Sequence, residues 1–223
     1  MLFHPHCLLC HQPAHDRLCP DCHNALSELL IGQRQCQQCA LPMAADTPFC
    51  GECLAKPPAF ERAFIPFQYQ FPLDYLIGRY KFSGCLASEK LMTELFAHFI
   101  ARHAPKPDLI VPTPLHWRSH IKRGYNQSQR LATAAARGLN MHINTQILHK
   151  TRATPAQHGL KKRDRTRNLK QCFACKPLQG QVVALVDDIV TTATTARQLS
   201  KQLRRAGASQ VYIWALARTP SAR

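Results

Sequence analysis

Two groups of residues in this chain combine types and spacing that chemistry can use. The first lies in residues 182–199, "VVALVDDIVTTATTARQL". An apolar run ends in Asp187 and Asp188, and Thr191, Thr192, Thr194 and Thr195 follow around Ala193. Carboxylates at the end of a buried strand accept hydrogen bonds from vicinal ribose hydroxyls, or hold Mg²⁺, often through water. Backbone N–H groups at a helix N-terminus, with hydroxyls beside them, bind a phosphate. Together they make a site for a ribose carrying a 5′-phosphate. A plain helix cap needs a single Asp or Thr, so two acids and four threonines exceed what capping alone requires.

The second group is cysteine. Eight of the eleven cysteines fall in the first 53 residues as C-x-x-C pairs: Cys7/Cys10, Cys19/Cys22, Cys36/Cys39 and Cys50/Cys53. A C-x-x-C turn sets two thiolates on one side of a tight loop, and two such turns complete a tetrahedral shell for Zn²⁺. Pairing neighbours in sequence keeps both loops short and their closure entropy small; a cross-braced pairing of first with third and second with fourth stays open. Histidines 4, 6, 11, 15 and 23 lie close by, either as surface residues or as ligands. Few large apolar residues accompany the cysteines, so metal affinity is expected to supply folding energy. A structural role for two zinc ions is the expectation, with a redox role as the alternative.

These groups must be held by something. The chain has 223 residues, of which 45% are hydrophobic, enough for a packed core. Apolar runs are far short of the ~20 residues of a membrane span, and "MLFHPHCLLC" lacks the features of a secretory leader. The expected compartment is the cytoplasm, where metal binding is a better reading of the cysteines than disulfides. Residues 1–57 are expected to form a small cysteine-rich domain and residues 58–223 a larger one, with Pro57 and Pro58 as a stiff link. Net charge is −2 in the first part and +18 in the second. Between Arg118 and Lys170 stand thirteen basic residues and one acid, Asp164, an excess that attracts phosphate-rich partners.

The larger part alternates strand and helix patterns. "FIPFQYQF" (64–71), "DLIVPTP", "QVVALVDD" and "VYIWALA" read as strands; residues 86–102, 126–137 and 195–205 have helical spacing, the last two stopping near Gly138 and Gly207. Unbroken apolar strands between helices predict an α/β fold, a parallel sheet covered on both faces. Ligands of such sheets bind beyond the carboxyl ends of the strands, where both aspartates are expected to sit. "CFAC" reads as a strand, so Cys172 and Cys175 are taken as structural.

"ALVDDIVTTATT" resembles the phosphoribosyl-pyrophosphate (PRPP) motif of type I phosphoribosyltransferases. The four C-x-x-C pairs, "VPTPLHWRSHIKRGYNQSQRLA" (111–132) and "TRATPAQHGLKKRDRTRNLKQCF" (151–173) resemble one branch, the ComF family (including GntX-like proteins) associated with DNA uptake in natural competence. The resemblance covers nearly the whole chain. It implies a type I phosphoribosyltransferase-like sheet behind a double zinc ribbon. Thr191, Thr192, Ala193, Thr194 and Thr195 would grip the 5′-phosphate of PRPP, with Asp187 and Asp188 facing the ribose hydroxyls and, indirectly, Mg²⁺. Arg118, Lys122 and Arg123 would meet the pyrophosphate, and residues 152–170 would correspond to a flap.

Three functions follow as alternatives. One is a PRPP-binding protein with a basic surface for single-stranded DNA, acting in DNA uptake. Another is an active phosphoribosyltransferase on an unidentified acceptor, whose chemistry needs Mg²⁺ and cations for the leaving group. The third is a zinc-ribbon scaffold docking competence proteins. Phe82, Trp117 and Tyr125, among basic residues, could stack bases or serve the core. The oligomeric state is open, a dimer included. Ala193 departs from the family's usual glycine, which permits φ > 0. Alanine follows easily if the loop is right-handed and costs ~1 kcal/mol or more if it is left-handed.

Overall fold

A computed structural model describes residues 6–32, 34–114, 125–150 and 173–220. Its centre is a sheet in which every pairing is parallel. The middle strands are β6 (Val182–Val190) and β7 (Gln210–Arg218). β3 (Leu109–Pro112) lies beside β6. β1 (Arg62–Phe64) and β2 (Phe67–Gln68) share the far edge of β7. A separate antiparallel pair joins β4 (Leu148–Lys150) to β5 (Phe173–Cys175).

The unbroken apolar strands divide two cores between them, because side chains alternate along a strand. Ala184, Val186, Trp214 and Leu216 pack on one face with Phe96 and Ile100 of α4 (Leu86–His103) and Leu131 and Ala135 of α5 (Gln127–Gly138). Val183, Leu185, Val211 and Ile213 pack on the other with Leu199 and Leu203 of α6 (Thr194–Arg205). α3 (Leu73–Ser83) completes the first face. Helix α5 starts where expected because Asn126 caps it, its side-chain oxygen accepting from the N–H groups of Ser128 and Gln129. After α6 the chain turns through Gly207 at φ 109°, and a Cβ there would stand 2.2 Å from the Leu178 carbonyl oxygen. Only glycine fits that approach.

The N-terminal segment is split between these cores. Cys7, Leu18, Cys19 and Leu26, the last in α1 (Pro20–Ser27), join the first. Cys36, Cys39, Cys50 and Cys53, the last in α2 (Gly51–Ala55), join the second.

Two expectations change. "FIPFQYQF" is not one strand: Ile65 and Pro66 separate β1 from β2. Proline brings no N–H to a ladder, and the Pro66 carbonyl instead accepts from the N–H of Ile31. β6 also runs two residues beyond the acids, so Asp187 and Asp188 stand inside the strand rather than after it. Among the described residues, no helix is long and apolar enough to cross a membrane.

Candidate functional site

The carboxyl end of the sheet gathers the polar residues. Asp187 Oδ1 accepts the Ser128 hydroxyl at 3.1 Å and the Asp188 N–H at 2.9 Å. Asp188 Oδ1 accepts the Ile189 N–H at 2.7 Å, and its Oδ2 pairs with Lys81 Nζ at 2.6 Å. Burial, then the neighbouring Asp188 charge, pushes the Asp187 carboxyl up to about 7; the Asp188 N–H, Ser128 and Lys81 pull the other way. Near neutrality both protonation states of this group are therefore populated. Thr113, next after β3, bonds its N–H to the Val186 carbonyl at 2.8 Å, and its carbonyl accepts from Asn126 Nδ2 at 3.0 Å. Two buried polar atoms here, Thr113 Oγ1 and Gln127 Nε2, have no partner among the described residues.

Above the acids the chain leaves β6 at Val190 and enters α6 at Thr194. Ala193 is the N-cap at φ 54°, ψ 9°, the left-handed geometry that glycine ordinarily supplies, and it is 6% exposed. The question raised by its identity is thus answered on the costly side. Thr192 and Thr194 hydroxyls lie 2.9 Å apart at the surface. No backbone carbonyl among the described residues takes the N–H groups of Thr191, Thr192 or Ala193. A left-handed residue followed by helical ones turns successive N–H groups into a concavity that suits an anion.

The loop is anchored from behind by Arg218, the last residue of β7 and only 4% exposed. Its Nη1 donates to the carbonyls of Val190 (3.1 Å), Thr191 and Thr219 (3.0 Å), and its Nε to the Cys39 carbonyl (3.3 Å). Because a trans peptide is planar, holding the Val190 and Thr191 carbonyls to one side turns the N–H groups of Thr191 and Thr192 to the other.

The cysteines form two centres, Cys7/Cys10/Cys19/Cys22 and Cys36/Cys39/Cys50/Cys53, each with its four sulfurs within 4.8 Å of one another. One edge of each, Cys10–Cys19 at 3.6 Å and Cys39–Cys50 at 3.7 Å, suits a tetrahedron of ~2.3 Å Zn–S bonds, whose edge is ~3.8 Å. Among the described residues, neither centre includes a histidine. Burial raises the Cys7 thiol, but N–H groups of Cys10, Cys19 and Leu9 bring it down to about 6. Burial likewise raises Cys36, and the N–H groups of Cys50, Cys39 and Gln38 lower it to about 7. Burial pushes Cys39 up to about 11, against the pull of the Leu41 N–H and Arg218. The four-sulfur geometry fits structural zinc, with the first four cysteines on one ion and the last four on the other.

Asp187, Asp188 and residues 191–195 thus stand together. Arg118, Lys122, Arg123, Trp117, Cys172 and residues 152–170 lie outside the described residues. Tyr125 stacks on Tyr80 with ring centroids 5.4 Å apart and donates its hydroxyl to the Tyr80 carbonyl, so it serves packing. Cys175 in β5 has its thiol raised by burial and directs it at the Lys176 carbonyl, 3.4 Å away. Sequence reading missed Lys81, Ser128, Arg197 and Arg218. Ser128 lies inside the quoted stretch of residues 111–132, its one available signal; nothing local marks the other three.

Comparison with known proteins follows the same lines. The double zinc ribbon domain family matches residues 1–54. DNA utilization protein YhgH of Escherichia coli K12 is 36% identical over 222 residues, covering 96% of each chain. Competence protein F of Haemophilus influenzae is 30% identical over 229 residues, covering 97% of this chain and 98% of that one. Among solved structures, a hypoxanthine phosphoribosyltransferase from Staphylococcus aureus overlaps 58% of this chain and 62% of its own, at 10% identity and TM-score 0.38. The allosteric regulatory enzyme of purine biosynthesis overlaps 57% of this chain and 26% of its own, at 18% identity and TM-score 0.41. The parallel sheet with helices on both faces carries the fold; these partial overlays do not. The extent and identity of the sequence matches show that the chain belongs to the ComF family.

Proposed function

We propose that this ComF-family chain binds the ribose 5-phosphate part of Mg-PRPP, or a related nucleotide, at the turn of residues 187–195, and serves DNA uptake by holding single-stranded DNA on its basic surface. The observation that carries the ligand reading is the run of N–H groups at Thr191, Thr192 and Ala193 that no backbone carbonyl among the described residues takes, next to two carboxylates in β6. Phosphate oxygens accept from the N–H groups and threonine hydroxyls, and ribose hydroxyls donate to Asp187 and Asp188. Mg²⁺ with PRPP would be held near these acids and would offset pyrophosphate charge; Lys81 is the described cation beside them.

The DNA reading rests on the names of the relatives and on the net +18 of residues 58–223. A surface that neutralises many phosphates binds single strands without base readout, and ever more weakly as salt rises. The ribbons of residues 1–57 are, in this reading, a zinc-dependent support for the domain formed by residues 58–223.

Titration of the full chain with Mg-PRPP and with a short single-stranded oligonucleotide, in wild type and in Asp187→Ala/Asp188→Ala, tests it. The double substitution is expected to weaken PRPP by roughly tenfold or more, the loss of charge-assisted hydrogen bonds, while DNA affinity holds and falls with added salt. DNA binding with no PRPP response in either protein would remove the ribose-phosphate site. DNA affinity indifferent to salt would remove the electrostatic surface. Pyrophosphate release with a candidate acceptor would make the chain a transferase.

A further inference from the structure

The second cysteine centre is joined to both ends of the phosphate loop. At the start of the loop, Arg218 spans from the Cys39 carbonyl to the carbonyls of Val190 and Thr191. Past its end, Arg197 lies in the first turns of α6 and its N–H donates to the Ala193 carbonyl at 2.8 Å. The Arg197 side chain reaches back to this centre: Nη1 meets the Lys56 carbonyl at 2.5 Å and Nη2 the Cys53 sulfur at 3.3 Å. The apolar surroundings are shared as well, since Val190, Ala193 and Ala196 pack in the same core as Cys36, Cys39, Cys50 and Cys53.

Electrostatics gives these contacts a direction. No Asp or Glu among the described residues forms an ion pair with Arg218, although it is almost wholly buried. An isolated buried cation is costly. Zinc on four thiolates is a net dianion, so a metal-loaded second centre compensates the Arg218 charge and gives Arg197 a charged sulfur acceptor. Without metal nothing clips the two C-x-x-C turns together, so the Cys39 carbonyl and the Cys53 sulfur lose their fixed places and both anchors weaken. Among the described residues the first centre has no such tie: its side-chain links run from Arg79 of α3 to the Leu8 carbonyl and from Arg17 to Glu94 of α4.

We infer that Arg197 and Arg218 are positioning residues through which the second cysteine centre shapes the phosphate loop, so that metal there and a ribose phosphate at the loop bind cooperatively. This rests on the ribose-phosphate reading above. Coupling of this kind is reciprocal: whatever zinc does for the ligand, the ligand does for zinc.

The test follows the equilibrium partition of zinc between the full-length protein and a competing chromogenic chelator, with and without saturating Mg-PRPP, alongside direct calorimetric titration of PRPP. The share belonging to the second centre is assigned with Cys53→Ser. Wild type is expected to hold that zinc more tightly with PRPP bound, by roughly five- to a hundredfold, the usual span of such couplings, and the first zinc with unchanged affinity. Arg197→Met keeps the apolar stem of a half-buried residue and both zinc ions. It is expected to abolish the protection and weaken PRPP by a matching factor, with partial recovery in Arg197→Lys. Arg17→Met, at the first centre, is expected to behave as wild type. The inference is overturned if PRPP binds wild type yet tightens neither zinc or both alike, or if Arg197→Met retains protection and affinity. Failure of PRPP to bind intact wild type in the titration is a different result, and it removes the ribose-phosphate reading together with the coupling built on it.

Discussion

The two cysteine centres repeat one backbone design on opposite faces of the same sheet, and they differ in their neighbours. In each, the first cysteine's N–H closes a short loop, Cys7 to the Gln12 carbonyl and Cys36 to the Leu41 carbonyl, both at 2.9 Å. In each, the residue after the second cysteine is left-handed, His11 at φ 61° and Ala40 at φ 54°. In each, a helix begins directly after the third cysteine, α1 after Cys19 and α2 after Cys50. Beyond the repeat, the first centre meets the outer surfaces of α3 and α4, while the second meets the loop between β6 and α6. A ribbon is therefore a generic clip, and the residues it touches decide whether it only staples the chain or also shapes a site.

The strongest way to break that comparison is to remove one ligand from each centre. Cys22→Ser and Cys53→Ser should each lower bound zinc from about two ions per chain to about one, and each should lower thermal stability heavily, since structural zinc contributes on the order of 10 kcal/mol in small zinc domains. They should part over ligand binding: Cys53→Ser loses Mg-PRPP affinity, and Cys22→Ser keeps most of it at temperatures where it is folded. Metal analysis and calorimetry on both variants decide. Equal loss of affinity would mean that both centres act only through global stability.

A smaller effect contrasts the proton-linked acid of the site with the thiols of the ribbons. Asp187 has a folded pKa of about 7 against an ordinary carboxylate value of 3.8, because burial opposes ionisation. The folded state binds more protons than the unfolded state between these values, so this group's share of stability is whole below ~4 and is lost as pH rises toward ~7. Asp187→Asn stays neutral and still offers an oxygen to Ser128 and to the Asp188 N–H. The ligand-free variant should thus be more stable than wild type above pH 7, by a few kcal/mol at most, and indistinguishable near pH 4. Denaturant unfolding at the two pH values measures this. A stability gain of the same size at pH 4 would show that ionisation is not the cause.

What the sequence made legible, and what it hid, follows from the range over which each signal acts. The eight cysteines and the acid-threonine turn were legible because their spacing is local. Buried strands were legible because a strand covered on both faces is apolar at every position, as Val183 to Val186 are. The break at Pro66 was hidden by alternation that continues on both sides of it. Lys81 beside Asp188, and Arg197 and Arg218 at the second centre, join residues far apart in the chain. An arginine that bonds backbone carbonyls, as Arg218 does, leaves no complementary side chain to be read. The left-handed Ala193 was legible only as a question, since alanine's own preference argues against the geometry it adopts.

Smaller still is the surface tie of the first centre. Arg17 grips Glu94 through two nitrogens, at 2.6 and 3.3 Å, and this contact holds the Glu94 carboxyl below its usual range. Both side chains are substantially exposed, so solvent screens the pair. Arg17→Met should cost no more than about 1 kcal/mol, an effect present at neutral pH, fading as pH falls below the ordinary glutamate range, and shrinking in high salt. A loss that persists in 1 M salt, measured by chemical unfolding, would show that the aliphatic stem of Arg17 matters more than its charge.

The finest comparison sets two alanines side by side. Ala40 in the second ribbon and Ala193 in the phosphate loop share φ 54° and are both buried. Holding an L-residue left-handed costs roughly 1–2 kcal/mol, while glycine frees the unfolded chain by roughly 0.4–1 kcal/mol. Replacement by glycine should therefore stabilise either site by only about 0.5 kcal/mol, little more than a degree or two in melting temperature for a chain of this size. The two should separate on ligand. Ala193→Gly relaxes the loop proposed to hold the phosphate and should tighten Mg-PRPP; Ala40→Gly alters a turn tied to that loop through the Cys39 carbonyl and Arg218 and should leave affinity nearly as it was. Unchanged or weaker binding in Ala193→Gly would show that the loop reaches its binding shape without glycine, and that Arg197 and Arg218 already hold the alanine in a geometry its own side chain disfavours.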